Sequence, residues 1–337
     1  MTTTIFNLTI LAAILLTASC KKDDLLSKGD RDVLFAPPSA TELSAIYTDW
    51  EARDLTPTDY TVIQESNIQS GKYTLRIVSF KVNNIKEYGM VIVPTTTAAV
   101  PVQMFITGFG LDIINYGINL QFNTASTGNT NILAIPALRG QALTLTLDGT
   151  TYTTPISEGN HCDAFDGATD DVLAFLNLIA QTEQNADVNR TAVRGGSRGG
   201  GVALLAGIRD TRIKRVVDVA GPTNMLELTF NNEKDLTYQC QFLDAYKSGN
   251  ISLAAARNKM IASSPIYFAE HLPLVQLHMG LRDDIVPISQ AYELQNEMKA
   301  IGKDADFQLY TYDRTHQNIA TGNNDLSQRI EDFFSHL

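Results

Sequence analysis

The sequence predicts an α/β fold built on a mostly parallel sheet with helices on both faces, and three observations carry that prediction. Continuous apolar, strand-like runs alternate with helical stretches through most of the chain. Ser197 stands between a strand-like run and a helix-like run in Gly195-Gly196-Ser197-Arg198-Gly199-Gly200. An acidic pair and then a histidine follow, each just past one of the last two strand-like runs.

Residues 61–63, 73–82 and 88–93 read as opening strands, the last two alternating and β-branched. The run 102–106 is the next strand and leads into Thr107-Gly108-Phe109-Gly110; the run 132–137 is another, followed by Arg139-Gly140-Gln141. An amphipathic helix is expected over 166–178. Residues 190–194 then enter the Ser197 turn, and the small, apolar stretch 200–207 leaves it as a tightly packed helix. A strand is expected over 215–220. Residues 222–264 are too many for an ordinary connection, so they are expected to form a mostly helical cap or wall. The chain closes with an apolar strand over 274–280, an amphipathic helix over 289–301, an alternating strand over 307–312 and the loop carrying His316.

The Ser197 turn has the chemistry of a nucleophile. A serine at the apex of a sharp strand-to-helix turn sits in strained backbone, so residues two before and two after must be small; Gly195 and Gly199 hold those places. A serine hydroxyl is barely nucleophilic at neutral pH and needs a base within reach. His316 is the candidate base, and Asp283 or Asp284 the candidate acid that orients it.

From about Tyr73 onward the chain resembles an α/β-hydrolase catalytic domain, similar to that of the prolyl oligopeptidase family and also to the acetyl xylan esterase and cephalosporin C deacetylase family. Ser263-Ser264-Pro265-Ile266-Tyr267-Phe268-Ala269 with Leu272-Pro273-Leu274 resembles the peptidases. Arg139-Gly140-Gln141, Gly195-Gly196-Ser197 and Gly280-Leu281-Arg282-Asp283-Asp284-Ile285 resemble the deacetylases. In both families an aliphatic residue and Pro follow three residues after the acid. Val286-Pro287 fits that spacing from Asp283, leaving Asp284 as a solvated cap of the next helix. The resemblance implies a triad of Ser197, Asp283 and His316, with an oxyanion hole from the backbone N–H of Arg198 and of Phe109, Gly110 being second choice. Prolyl oligopeptidases usually offer a tyrosine hydroxyl in that hole; here Gly108-Phe109-Gly110 has none, and Tyr116 is the nearest tyrosine. Arg198 departs from both families and is expected to clamp a substrate substituent or to salt-bridge to the acidic surface, and Arg139 to brace loops. Asp313, at the end of the last strand, would face away from His316.

The N-terminus carries a second message. Residues 1–19 have an apolar core from Leu8 to Leu16, too short to span a membrane and suited to a signal peptide. Leu16-Thr17-Ala18-Ser19-Cys20 resembles a bacterial lipoprotein signal, which implies lipidation at Cys20 and an outer-membrane location. Lys21-Lys22-Asp23-Asp24 resembles the tether of surface-exported lipoproteins, so residues 20–39 are expected to be a polar tether and 40–337 the catalytic domain. With Cys20 modified, Cys162 and Cys240 remain as an even pair in an oxidising compartment, free to bond or to stay as separate thiols.

Composition narrows the partners. The net charge of −11 argues against nucleic acid or anionic lipid as ligand and favours a neutral or cationic substrate. No phosphate-binding glycine loop or zinc spacing is present, and no cofactor or metal is expected. His161-Cys162-Asp163 with Asp166 reads as a helix start with capping acids. Three functions stay open: an esterase or deacylase on carbohydrate or small esters, a prolyl oligopeptidase-type peptidase, and a binding lipoprotein with a vestigial fold. Against the peptidase, the stretch between the tether and the first strands is too short for that family's β-propeller.

Overall fold

A computed structural model describes residues 26–108 and 131–337 and the backbone of 116–121. The expected signal peptide, Cys20, the start of the tether, Phe109 and Gly110 lie outside the described residues. The elements run α1 (Lys28–Leu34), α2 (Ala40–Ala52), β1 (Thr58–Ile68), β2 (Tyr73–Val82), β3 (Ile85–Pro94), β4 (Val100–Ile106), β5 (Tyr116–Gln121) and β6 (Ile132–Ala137). Then come β7 (Gln141–Leu147), β8 (Thr150–Thr153), α3 (Asp166–Thr182), β9 (Ala186–Gly196), α4 (Arg198–Arg209) and β10 (Ile213–Val219). After β10 follow α5 (Met225–Asn231), α6 (Leu236–Tyr238), α7 (Asp244–Lys247) and α8 (Leu253–Ala262). The chain ends with β11 (Leu274–Gly280), α9 (Ile288–Ala300), β12 (Phe307–Tyr312) and α10 (Asn324–Ser335).

Nine of the described strands form one sheet in the order β1-β2-β3-β6-β4-β9-β10-β11-β12. Pairing is antiparallel from β1 to β6 and parallel from β6 to β12. This is the mostly parallel, helix-flanked sheet that the apolar runs predict. Val102, Met104 and Ile106 alternate toward a face shared with Val172, Phe175 and Ile179 of α3 and Val202, Leu205 and Ala206 of α4. Ala192, Val217 and Val219 turn to the other face, where Leu326, Ile330 and Phe334 of α10 cover them. Each of the Val, Leu, Ile, Met and Phe side chains among these stabilises by about 1.5–3 kcal/mol through burial. Strands β5, β7 and β8 form a second, small sheet, and Leu143, Leu145 and Leu147 seat it on Ile77, Met90 and Ile135.

The parallel half positions the chemistry. Strands β9, β10, β11 and β12 are neighbours, so the loops that leave β9, β11 and β12 at their C-terminal ends converge. Register brings Gly196 opposite Val219, Val219 opposite His278, and Gly280 opposite Tyr312.

Two regions depart from the reading above. The polar tether ends well before Pro38: Lys28–Leu34 is helical, capped by Ser27, and Leu34 is fully buried. Arg257 of α8 causes this, donating to the carbonyls of Val33, Leu34, Ala36 and Pro37 while ion-pairing with Glu42. The expected wall after Pro222 is present as α5 to α8. Its middle is broken into short pieces around a π turn over Gln239–Leu243.

Candidate active site

Ser197 has φ 53° and ψ −127°, a strained backbone at the junction of β9 and α4. The flanking glycines are required by close approach. A Cβ on Gly195 would lie 1.9 Å from the carbonyl oxygen of Gly199, and one on Gly199 would lie 2.3 Å from that of Ile106. The N–H of Ser197 donates to the Val219 carbonyl at 2.8 Å, tying the turn to β10.

The three expected side chains meet. Ser197 Oγ lies 2.8 Å from His316 Nε2, and His316 Nδ1 lies 2.8 Å from Asp283 Oδ2. The partners set the tautomer: Nδ1–H donates to the carboxylate, and Nε2 accepts from the serine hydroxyl. Asp283 Oδ1 accepts from the backbone N–H of Ile285 and Val286, so both carboxylate oxygens are engaged and the side chain is fully buried. His316 begins a short turn held by Thr315 and Asn318, whose side chains bond each other's backbone. Gly280 lets that loop close in, since a Cβ there would lie 2.5 Å from the Arg314 carbonyl oxygen.

Neighbouring residues sort themselves. Asp284 is exposed but caps nothing; Pro287 occupies the N-cap of α9, without a side-chain bond. Asp313 points outward to Arg282 at 2.7 Å. Arg198 lines the cavity beside Ser197. It is buried, and its guanidinium donates to the Thr107 carbonyl at 3.1 Å and to Gln141 Oε1 at 2.5 Å. Burial pulls it down to about 9. It therefore bridges the loop after β4 to the start of β7. That loop passes against the elbow: a Cβ on Gly108 would lie 2.9 Å from the Gly196 carbonyl oxygen. Phe109 lies outside the described residues, as does the side chain of Tyr116.

Asp163 and Asp166 are ion-pair partners rather than caps of α3, whose N-cap Phe165 makes no side-chain bond. Asp163 meets Arg139 and Lys259; Asp166 meets Arg53, Arg209 and the Trp50 indole N–H. Arg139 also grips Asp171 through its own N–H and two guanidinium nitrogens, bracing the loop before α3 as expected.

Ser197 opens on a small, largely apolar cavity of about 30 Å³, walled by Phe165, Met225, Tyr238, Gln241, Ile285 and Val286. That is room for about two water molecules. Of these six, the sequence motifs include only Ile285 and Val286, in the turn that carries Asp283. Phe165, Tyr238 and Gln241 carry no motif and reach the serine only through tertiary packing. Burial pushes the Tyr238 hydroxyl up to about 12, so it stays a neutral donor. Cys162 and Cys240 form a disulfide, with Cα atoms 5.3 Å apart, beside this wall. His161 Nε2 lies 3.4 Å from the Cys162 sulfur and 3.8 Å from that of Cys240.

A strained serine at a strand–helix turn, on a mostly parallel sheet flanked by helices, defines the class: the chain is a serine hydrolase of α/β-hydrolase fold. The model of the prolyl oligopeptidase family matches residues 163–337, and the chain belongs to that family. Among solved structures it is similar to an acetyl xylan esterase from a Thermoanaerobacterium species, with a TM-score of 0.62 at 17% identity, covering 92% of this chain and 98% of that one. An acetyl xylan esterase from a Paenibacillus species matches with a TM-score of 0.61 at 15% identity, over 91% of this chain and 100% of that one. The acylaminoacyl peptidase of Pyrococcus horikoshii matches with a TM-score of 0.59 at 17% identity, over 79% of this chain but 42% of that one. At these identities the likeness is one of fold. Among curated protein sequences, none matches this chain.

Proposed function

We propose that the protein is a cell-envelope carboxylic ester hydrolase that removes short acyl groups from carbohydrates or small alcohols. The observation that carries this reading is the Ser197–His316–Asp283 relay at 2.8 Å per step, opening on a small, largely apolar cavity. End-to-end similarity to two acetyl xylan esterases supports it.

In the mechanism, Ser197 Oγ attacks the ester carbonyl as its proton passes to His316 Nε2, and Asp283 stabilises the resulting imidazolium. The negative oxygen of the tetrahedral intermediate is held by the N–H of Arg198 and, on this proposal, of Phe109. Collapse breaks the bond to the alcohol, which leaves with the proton from His316. Water then adds to the acyl-enzyme with His316 as base, releasing the carboxylic acid and restoring Ser197. Family membership favours a second reading, a peptidase acting after proline. We further place the enzyme on the outer membrane through lipidated Cys20, a reading of residues that precede those described.

The test is one panel: purified protein with p-nitrophenyl acetate, an acetylated sugar and a proline p-nitroanilide, alongside Ser197→Ala. Both acetyl esters should turn over, one serine should react with a fluorophosphonate, and Ser197→Ala should lose both. Cleavage of the anilide with no deacetylation of the sugar would decide for the peptidase. In cells, Cys20→Ser should move the protein from membrane to soluble fractions; retention in membranes under high salt would remove the lipid anchor from the proposal.

A further inference from the structure

The cavity wall is assembled from segments far apart in sequence. Phe165 comes from the loop before α3, and Tyr238 and Gln241 from the broken helical stretch after α5. Neither segment is rigid by itself. α6 and α7 are short pieces joined by a π turn, and helices of that length depend on tertiary support.

Three links hold the two segments together. Cys240 lies in the π turn between Tyr238 and Gln241, and its disulfide reaches Cys162, three residues before Phe165. Gln241 Oε1 accepts from the Ala164 N–H at 2.9 Å, and Gln241 Nε2 donates to the His161 carbonyl at 3.2 Å. Phe165 and Phe242 stack with ring centroids 6.4 Å apart. The covalent link thus joins the two walls beside the residues that line the cavity, and Gln241 adds two hydrogen bonds across the same gap.

We propose that the Cys162–Cys240 disulfide determines acyl-chain specificity, by clamping Phe165 against the Tyr238–Gln241 turn at a spacing that admits an acetyl group and excludes longer chains. This rests on the ester-hydrolase reading. Without the disulfide, the π turn is free to relax toward ordinary helical bonding, which turns Tyr238 and Gln241 relative to Phe165 and widens the slot. The relay of Ser197, His316 and Asp283 is anchored on β9, β11 and β12 and does not share that support. Specificity should therefore move while reactivity stays.

The experiment compares kcat and KM for p-nitrophenyl acetate, butyrate and hexanoate in three proteins. These are the oxidised wild type, the wild type treated with a phosphine reductant and desalted without air, and the Cys162→Ser/Cys240→Ser double variant. Each methylene in a hydrophobic pocket is worth roughly 10–200-fold in discrimination. The oxidised enzyme should therefore favour acetate over hexanoate by about 100-fold or more in kcat/KM. Removing the disulfide should cut that preference about tenfold, through a lower KM for hexanoate, with kcat on acetate and fluorophosphonate labelling little changed. Should the double variant fail to unfold cooperatively, Gln241→Leu, which keeps the disulfide but loses both hydrogen bonds, should shift the ratio in the same direction by a smaller amount. An unchanged acetate-to-hexanoate ratio in folded, disulfide-free enzyme, or a Gln241→Leu ratio equal to wild type where that variant decides, overturns the clamp. No hydrolysis of any ester by the oxidised wild type overturns the ester reading instead.

Discussion

The elbow around Ser197 and the helical insertion that walls its cavity meet at the same atoms, yet they are specified in different ways. The elbow is local. Its glycines, its serine and the strand and helix on either side lie within one continuous stretch, and each residue type follows from the geometry of a tight turn. The insertion is not. Its short helices are held by a disulfide to the loop before α3 and by Arg257 to the N-terminal segment. The turn that presents the serine is therefore written locally, while the wall of its cavity depends on contacts between distant parts of the chain.

The sharpest way to break that contrast is at the acid. Asp283→Asn should leave His316 in the wrong tautomer and lower kcat by about 10⁴-fold. Asp284→Asn, one residue away and exposed, should stay within about twofold, as surface changes usually do. Steady-state kinetics on p-nitrophenyl acetate decides between them. Equal losses would mean that the loop after β11, rather than Asp283 alone, carries the function.

A second prediction probes the elbow without touching a reacting group. Gly199→Ala puts a methyl group 2.3 Å from the Ile106 carbonyl oxygen and 2.9 Å from that of Thr107. On the proposed mechanism the loop after β4 supplies the second oxyanion donor and is then pushed away, and a misplacement of about 1 Å costs on the order of 100-fold in rate. Activity within threefold of wild type would show that this loop does not contribute.

The third acts on the insertion. Arg257→Ala deprives four backbone carbonyls of their donor and Glu42 of its partner. Glu42 is partly exposed and can return to water, so the expected loss is about 3 kcal/mol in urea unfolding. Fluorophosphonate labelling below the unfolding range should be nearly unaffected. Labelling that falls with stability would mean that the N-terminal segment supports the relay as well.

The same division explains what could be read in advance. Ser197, Asp283 and His316 stand at strand ends, and apolar runs with turn residues mark strand ends well. The cavity residues Phe165, Tyr238 and Gln241 carry no such mark. Other elements had signals that motif reading passes over. Leu143, Leu145 and Leu147 alternate up to Asp148-Gly149, both with positive φ, and this is the pattern of a hairpin. Ser39 and Glu42 form a capping box at the start of α2. Helix α1 is different: its charged sequence reads as tether, and Leu34 joins the main core while Arg257, far along the chain, bonds its carbonyl. Arg198 shows the same dependence on distant contacts: its charge suggests an exposed position, whereas the fold encloses it against Thr107 and Gln141.

The smallest effect concerns the layer beneath the clamp. Arg139 holds Asp163, next to Cys162, and Asp171, whose carboxylate faces buried Glu87. Burial first, and then the neighbouring charge of Asp171, push Glu87 up to about 10 against an ordinary 4.5. Folding therefore takes up a proton at neutral pH. With the folded value raised, stability is greatest below about 4.5 and is lost progressively as pH rises toward about 10. Glu87→Gln stays neutral and keeps a donor for Asp171 with no proton to bind. Its melting temperature should match wild type at and below about pH 4.5 and exceed it by a margin that widens as pH rises toward 8. Scanning calorimetry over that range reads the difference directly. A gap that does not widen with pH would mean that Glu87 is ionised in the folded protein. Arg139 would then balance two carboxylates there, and the brace under the cavity wall would be an ion triad rather than a proton-sharing pair.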